Sequence, residues 1–223
     1  MKKPLPMNPG SIANNDHSTL GWTGFCLILA LFGGCAALPD KPVRPAVYDF
    51  GPGLAVQPIP APAAVLPALA LADINAPAAL DGTAVLFRLA YADVQQLRPY
   101  AQARWSMPPA QLVRQRLREQ LSPQRVVLNP GEGAAAVSLR LELEEFTQVF
   151  TAPDQSDGLV RLRVTLMENR AARERLVAQR SIVQRRPAPS ADAPGGVRAL
   201  TAATDAAIDD IVQWLRQQPA ASR

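Results

Sequence analysis

The sequence predicts an α+β domain: an antiparallel sheet with two main helices packed on one side, preceded by a Pro-rich tether. Three observations carry this expectation. Residues 137–143 and 160–166 alternate strictly between apolar and polar, the period of strands buried on one face. Residues 108–121 and 197–217 repeat apolar residues at three- and four-residue steps, the period of helices with one buried stripe. Eight prolines stand between Ala36 and Pro67, at positions 39, 42, 45, 52, 58, 60, 62 and 67, a density that favours extended chain over packed structure.

The amino terminus reads as an address. Lys2 and Lys3 form a positive start, and Phe25 to Phe32 (FCLILALF) is an apolar run of signal-peptide length that ends at Gly33, Gly34 and Cys35. It is shorter than the roughly 20 apolar residues that a membrane-spanning helix needs, and Pro39, Asp40, Lys41 and Pro42 follow closely. Residues 1–34 are therefore expected to be a lipoprotein signal peptide cut between Gly34 and Cys35, with Cys35 the site of lipid attachment. Cys26 would leave with the peptide and Cys35 would carry lipid, so a mature chain would hold neither a free thiol nor a disulfide. Each buried methylene contributes about 0.8 kcal/mol, so several acyl chains, palmitate among them, would hold the protein stably on a membrane.

Residues 35–65 are expected to be the lipidated cysteine and the tether, with Val47 to Gly51 (VYDFG) a candidate edge strand between Pro45 and Pro52. Residues 36–45 alone would reach roughly 30 Å at about 3.1 Å per residue. The domain is expected over 66–218, with a disordered tail at 219–223. Within it, Leu66 to Ile74 and Ala84 to Tyr91 read as strands around a loop with Pro77 and the turn pair Asp81-Gly82. Gln96 to Ala103 reads as a further short strand.

Pro108 to Leu121 (PPAQLVRQRLREQL) opens on proline, stops before Ser122-Pro123 and sets Leu112, Val113, Leu117 and Leu121 on one helical face. In the strand from Val137 the phase slips at Glu145 and Phe146, and a bulge there would keep Phe146 on the core side. The acidic outer face of this strand and the arginine-rich outer face of the next would pair across the ladder. Leu176 to Gln184 reads as a third strand. Pro187, Pro189, Pro194, Gly195 and Gly196 mark a flexible loop before the closing helix from Val197 to Gln217, where Trp214 is expected to fill a core edge.

Composition narrows the function. The 223 residues are 48% hydrophobic and 19% charged, ordinary for a folded domain, with 5% aromatic residues and 22 prolines. Cleavage removes Lys2, Lys3 and Asp16 from 23 basic and 19 acidic residues, leaving a nearly balanced 21 against 18. The basic residues alternate with apolar or acidic ones instead of clustering with aromatics, so nucleic-acid binding is not expected. The one histidine, His17, precedes the cleavage point, and Lys41, in the tether, is the one lysine of the mature chain. No histidine base, histidine metal site, phosphate-cradling glycine loop or zinc spacing is available after cleavage, so no catalytic residue, metal or cofactor is assigned. Glu142, Glu144 and Glu145 sit on a strand, where alternate side chains face opposite ways, and read as a solvated face before they read as paired catalytic carboxylates.

The lipobox-like Leu31-Phe32-Gly33-Gly34-Cys35, Tyr48-Asp49-Phe50-Gly51-Pro52, the run Asp81 to Arg88 (DGTAVLFR), Tyr91-Ala92-Asp93, Leu97-Arg98-Pro99-Tyr100, Arg104-Trp105 with Pro108 to Leu112, and the closing Trp214-Leu215 together resemble the ABC-type transport auxiliary lipoproteins, among them the paraquat-inducible protein C type. The resemblance implies a partner system of an inner-membrane ABC permease and ATPase with a mammalian-cell-entry domain protein, moving lipids between envelope membranes. In lipoproteins of this kind an aspartate after the cysteine favours the inner membrane; Ala36 stands here, which implies the outer membrane. Tyr91, Tyr100 and Trp105 are candidate partner contacts because aromatics recur at interface hot spots, and the rim of the core is their other reading. Self-association is left open. A structural lipoprotein of another outer-membrane secretion or export machine, and a periplasmic hydrolase, are the alternatives.

Overall fold

The computed structural model describes residues 44–53, 66–170 and 173–218. The expected cleavage site at Gly34 and Cys35, most of the tether and the tail lie outside them. Along the described chain the order is β1 (Ala46–Tyr48), β2 (Leu66–Leu71), a 3-10 turn (Ala78–Leu80), β3 (Ala84–Leu89), β4 (Leu97–Trp105), α1 (Pro109–Leu121), β5 (Arg125–Leu128), β6 (Val137–Ala152), β7 (Gln155–Arg170), β8 (Arg173–Pro187) and α2 (Ala193–Arg216).

The alternating segments become β6 and β7, antiparallel from Val137↔Glu168 to Ala152↔Gln155, and β8 continues the meander on the far side of β7. The other edge of β6 is shared end to end by two shorter strands. β2 pairs with Val137, Ser138 and Leu139, β3 pairs with Gln148, Val149 and Phe150, and Asn75 bridges to Glu142 between them. β5 extends the sheet beyond β2, whereas β4 and then β1 extend it beyond β3.

The α+β class with both helices on one side of the sheet holds, and within it the sheet is mixed where an antiparallel one was expected. β2 and β3 run parallel to β6, β1 runs parallel to β4 and β5 parallel to β2. The physical reason is the connection: a strand reached by a long crossover through other elements is free to enter from the same end as its neighbour, and alternation reports burial without direction.

At the expected phase slip the register of β6 shifts between Leu143 and Glu145, and Phe146 turns inward to 1% exposure. Leu112, Val113, Leu117 and Leu121 form the buried face of α1, as their spacing predicted, with Arg116 buried beside them. β5, four residues between Pro123 and Pro130, is too short to display a period and was not anticipated.

The segment expected as a flexible loop is another correction. Ala193 to Gly196 form the first turn of α2, capped by Asp192, whose Oδ1 accepts from the Gly195 N–H at 2.7 Å. Pro194 sits where its missing N–H costs nothing. The two glycines answer packing: a Cβ on Gly195 would overlap the Ser190 carbonyl, and one on Gly196 the Gln148 carboxamide. Gly158 on β7 does the same from below, since its Cβ would stand 2.5 Å from the Ala199 carbonyl carbon of α2. The two helices lie together on one side of the sheet, Gln120 of α1 donating to Asp209 of α2 at 3.3 Å and Arg216 of α2 reaching Gln124, just past the end of α1, at 2.9 Å.

Candidate functional site

Beyond its ladder with β4, the short strand after the tether is fastened to the domain by an arginine of α1. Beyond β1 the chain turns at Asp49-Phe50-Gly51, where Gly51 has φ +66° and donates its N–H to Asp49 Oδ1 at 2.8 Å. The turn drives Phe50 into the core against Trp105, ring centroids 5.7 Å apart and nearly perpendicular, and against Phe146 at 6.2 Å. Arg116 of α1 closes over it, donating from Nη2 to the Phe50 carbonyl at 2.5 Å and to the Gly51 carbonyl at 3.3 Å.

The same guanidinium, 7% exposed, meets Asp205 of α2 at 3.3 Å through Nε and Glu119 at 3.7 Å through Nη1. These are ion pairs by distance but without hydrogen-bond geometry, so Nε and Nη1 make no hydrogen bond. Burial pushes the Asp205 carboxyl up, the Arg116 charge opposes that rise, and Asp209 and Glu119 add to it. A side chain at Gly53 would come within 2.6 Å of Arg116 Nη1, so the chain leaves this clamp on a residue without one. One side chain thereby joins the first strand to both helices.

The three candidate contact aromatics are placed apart. Tyr91 is 49% exposed in the β3–β4 connection, with Val94 at 61% beside it. That connection is braced by the Asp93 N–H on Leu89 at 2.8 Å and by Arg88 Nη1 on the Val94 and Gln95 carbonyls. Tyr100 lays its ring on Phe87 at 4.5 Å and donates its hydroxyl to Gln148 Oε1 at 2.8 Å. Burial, then the Asp192 charge, pushes its phenol up to about 12. Trp105 is 2% exposed, enclosed by Phe50 and Phe146, and offers no surface. Arg116 and Gln148 escaped the sequence reading because a single polar residue on an apolar stripe carries no periodic signal.

The glutamates of β6 are engaged in ion pairs. Arg163 of β7 reaches Glu144 at 2.5 Å and Glu142 at 3.7 Å, and Arg88 reaches Glu145 at 3.6 Å. Among the described residues no group of three histidine, cysteine or acidic side chains is placed to hold a metal, and no helix is long and apolar enough to cross a membrane.

The family described as ABC-type transport auxiliary lipoprotein component matches residues 48–212. The chain belongs to this family. Among solved structures, a Xanthomonas campestris protein of the family designated DUF330 is 19% identical, with a TM-score of 0.64 over 76% of this chain and 94% of its own. A second, uncharacterized protein is 16% identical, with a TM-score of 0.60 over 77% of this chain and 99% of its own. At these identities the likeness is one of fold. No curated protein sequence matches the chain.

For this auxiliary lipoprotein the matched span opens on Tyr48, the last residue of β1, and closes on Val212 within α2. Phe50, Arg116 and Asp205 all fall inside it. The clamp is therefore part of the domain that the family shares in sequence, and the expected lipid-bearing segment lies before it.

Proposed function

We propose that the chain is cleaved before Cys35, carries lipid on that cysteine at the periplasmic face of the outer membrane, and serves as a non-catalytic docking subunit of an ABC-type lipid transport system. Its partners in this reading are a mammalian-cell-entry domain protein and the permease and ATPase behind it, and its role is to keep the envelope intact. The observation that carries the proposal is family membership across β1 to α2. The clamp supports it, because Arg116 fastens to both helices the strand that would take the pull of a lipid anchor. The braced, exposed Tyr91 and Val94 offer an apolar contact for a partner.

The test is to purify the protein from detergent-solubilised envelopes beside Cys35→Ala and identify what accompanies each. Recovery of a mammalian-cell-entry protein and its permease with the native chain, reduced when Cys35 is replaced, is the expected result. Recovery of secretion components, or of lipid alone, would sink the transport reading.

A further inference from the structure

β8 is the longest open edge of the sheet among the described residues. It runs for 15 residues and pairs with β7 alone, whereas the edges at β1 and β5 are three and four residues long. An edge strand presents a row of unpaired N–H and C=O groups, a template for another extended chain unless it is kept short, covered or charged. β8 is neither short nor covered on its outer side: Ile182 alone of its residues is fully buried. Its charge is mostly of one sign, five arginines against Glu174.

The register distributes that charge by face. Arg180, Ile182, Gln184 and Arg186 lie opposite Val164, Leu162, Val160 and Gly158, the side that meets α2. The shift between Leu166 and Met167 brings Arg175, opposite Glu168, and Arg173 to the same side. Leu176 and Val183, 56% and 52% exposed, stand on the other face, opposite Met167 and Arg161. Arg175 pairs with Glu168 at 2.9 Å, and Glu174, the one carboxylate on β8, pairs with Arg140 at 2.5 Å. The side chains of Arg173 and Arg180 make no ion pair or hydrogen bond among the described residues.

We propose that β8 accepts, by strand addition, an extended segment of a partner protein in which acidic residues alternate with apolar ones. The proposal names a surface for the docking role above and rests on that reading. An added strand completes the open ladder, its acidic positions face Arg173 and Arg180, and its apolar positions cover Leu176 and Val183. A second copy fits poorly, because β8 against β8 sets arginines beside arginines, and β5 (RVVL) carries no carboxylate. The chain's own remaining segments do not fit either: outside the described residues its acidic residues are Asp16 and Asp40 alone. An anionic membrane would pair the arginines but leave the backbone row unmatched.

Hydrogen exchange on the full-length protein in detergent tests this, with a capped peptide of alternating glutamate and valine as the probe. The expected result is slowed exchange on β8 and not on β1 or β5, with binding weakened roughly tenfold in the double variant Arg173→Glu, Arg180→Glu. Both positions are exposed, and unchanged exchange across β6 and β7 certifies the fold of the variant. Equal protection by a lysine–valine peptide, protection by phosphatidylglycerol vesicles in place of the peptide, or protection that grows with protein concentration alone would overturn the proposal. The envelope purification separates the two readings. If the native chain and the double variant recover a transport partner equally, the β8 proposal falls and docking stands. If the native chain recovers none while the peptide still protects β8, docking falls and the edge stands.

Discussion

Arg116 holds Phe50 by its backbone and by its ring at once: Nη2 donates to the Phe50 carbonyl at 2.5 Å while the guanidinium carbon stands 5.9 Å from the ring centroid. Removing the side chain strands the carbonyls of Phe50 and Gly51 and leaves Asp205 half-buried beside Asp209 and Glu119. Arg116→Ala should cost about 3 kcal/mol in urea unfolding, because hydrogen bonds to a charged group are lost together with a charge partner. Asp205→Asn should cost less, since the neutral amide escapes the desolvation that raises this carboxyl. Arg116→Lys should recover less than half of the loss, as one ammonium cannot span carbonyl and carboxylate as a guanidinium fork does. A larger loss from Asp205→Asn than from Arg116→Ala would mean that the ion pair, and not the backbone clamp, carries the energy.

Gly158→Ala tests how tightly α2 is seated. Its Cβ would meet backbone atoms of Ala199 and Leu200 at 2.5 Å, and backbone cannot turn aside as a side chain can. The helix must lift, and overpacking of this kind costs about 1–3 kcal/mol. Gly82, with nothing within 4 Å of its Cβ position, is the control and should tolerate alanine nearly unchanged. Equal melting temperatures for the two variants would show that α2 rides loosely on β7.

What was legible in the sequence was whatever repeats. The alternation from Val137 and from Val160 gave β6 and β7 and the bulge that turns Phe146 inward, and the stripe of Leu112, Val113, Leu117 and Leu121 gave α1. Strand direction was not legible, because a period of two is the same for parallel and antiparallel neighbours. Ala193 to Gly196 misled for a different reason. Proline and glycines read as loop when their conformational freedom is weighed alone, but here they supply a first-turn proline and a side-chain-free approach to Gln148 and Ser190. The clamp was hidden because it depends on long-range proximity: Phe50 and Arg116 stand 66 residues apart. Trp105 carried two readings, partner contact or rim of the core, and its enclosure by Phe50 and Phe146, visible only in three dimensions, agrees with the core.

The cap of α2 should make the fold acid-sensitive. The Ser190 hydroxyl, then the Gly195 N–H, hold the Asp192 carboxyl below its ordinary 3.8. A carboxyl with a lowered folded value stabilises the fold above its unfolded value and loses that contribution as pH falls through the lowered one. Asp205, raised in the fold, works in the opposite direction, its contribution fading as pH rises through its raised value. Comparing native protein with Asp192→Asn cancels the Asp205 effect, which both share. The asparagine keeps a capping oxygen, so the variant should match the native chain most closely under acid and fall behind as pH rises past about 4. Parallel stability curves would show that the cap does not depend on charge.

The glutamates of β6 separate a docking protein from a hydrolase. Glu142 and Glu144 share Arg163, and Glu142 and Arg163 are about half exposed, so the pairs sit in water that screens them. Exposed ion pairs of this sort contribute about 0–1 kcal/mol each. The double variant Glu142→Gln, Glu144→Gln should therefore unfold within about 1 kcal/mol of the native protein. It should also restore envelope integrity in a strain lacking the gene as fully as the native chain does. A general acid or nucleophile at either position would give a different pattern, with stability kept and complementation lost, because an amide can neither donate a proton at neutral pH nor attack as a carboxylate. Loss of complementation without loss of folding, measured side by side, would return these carboxylates to the chemistry of the site.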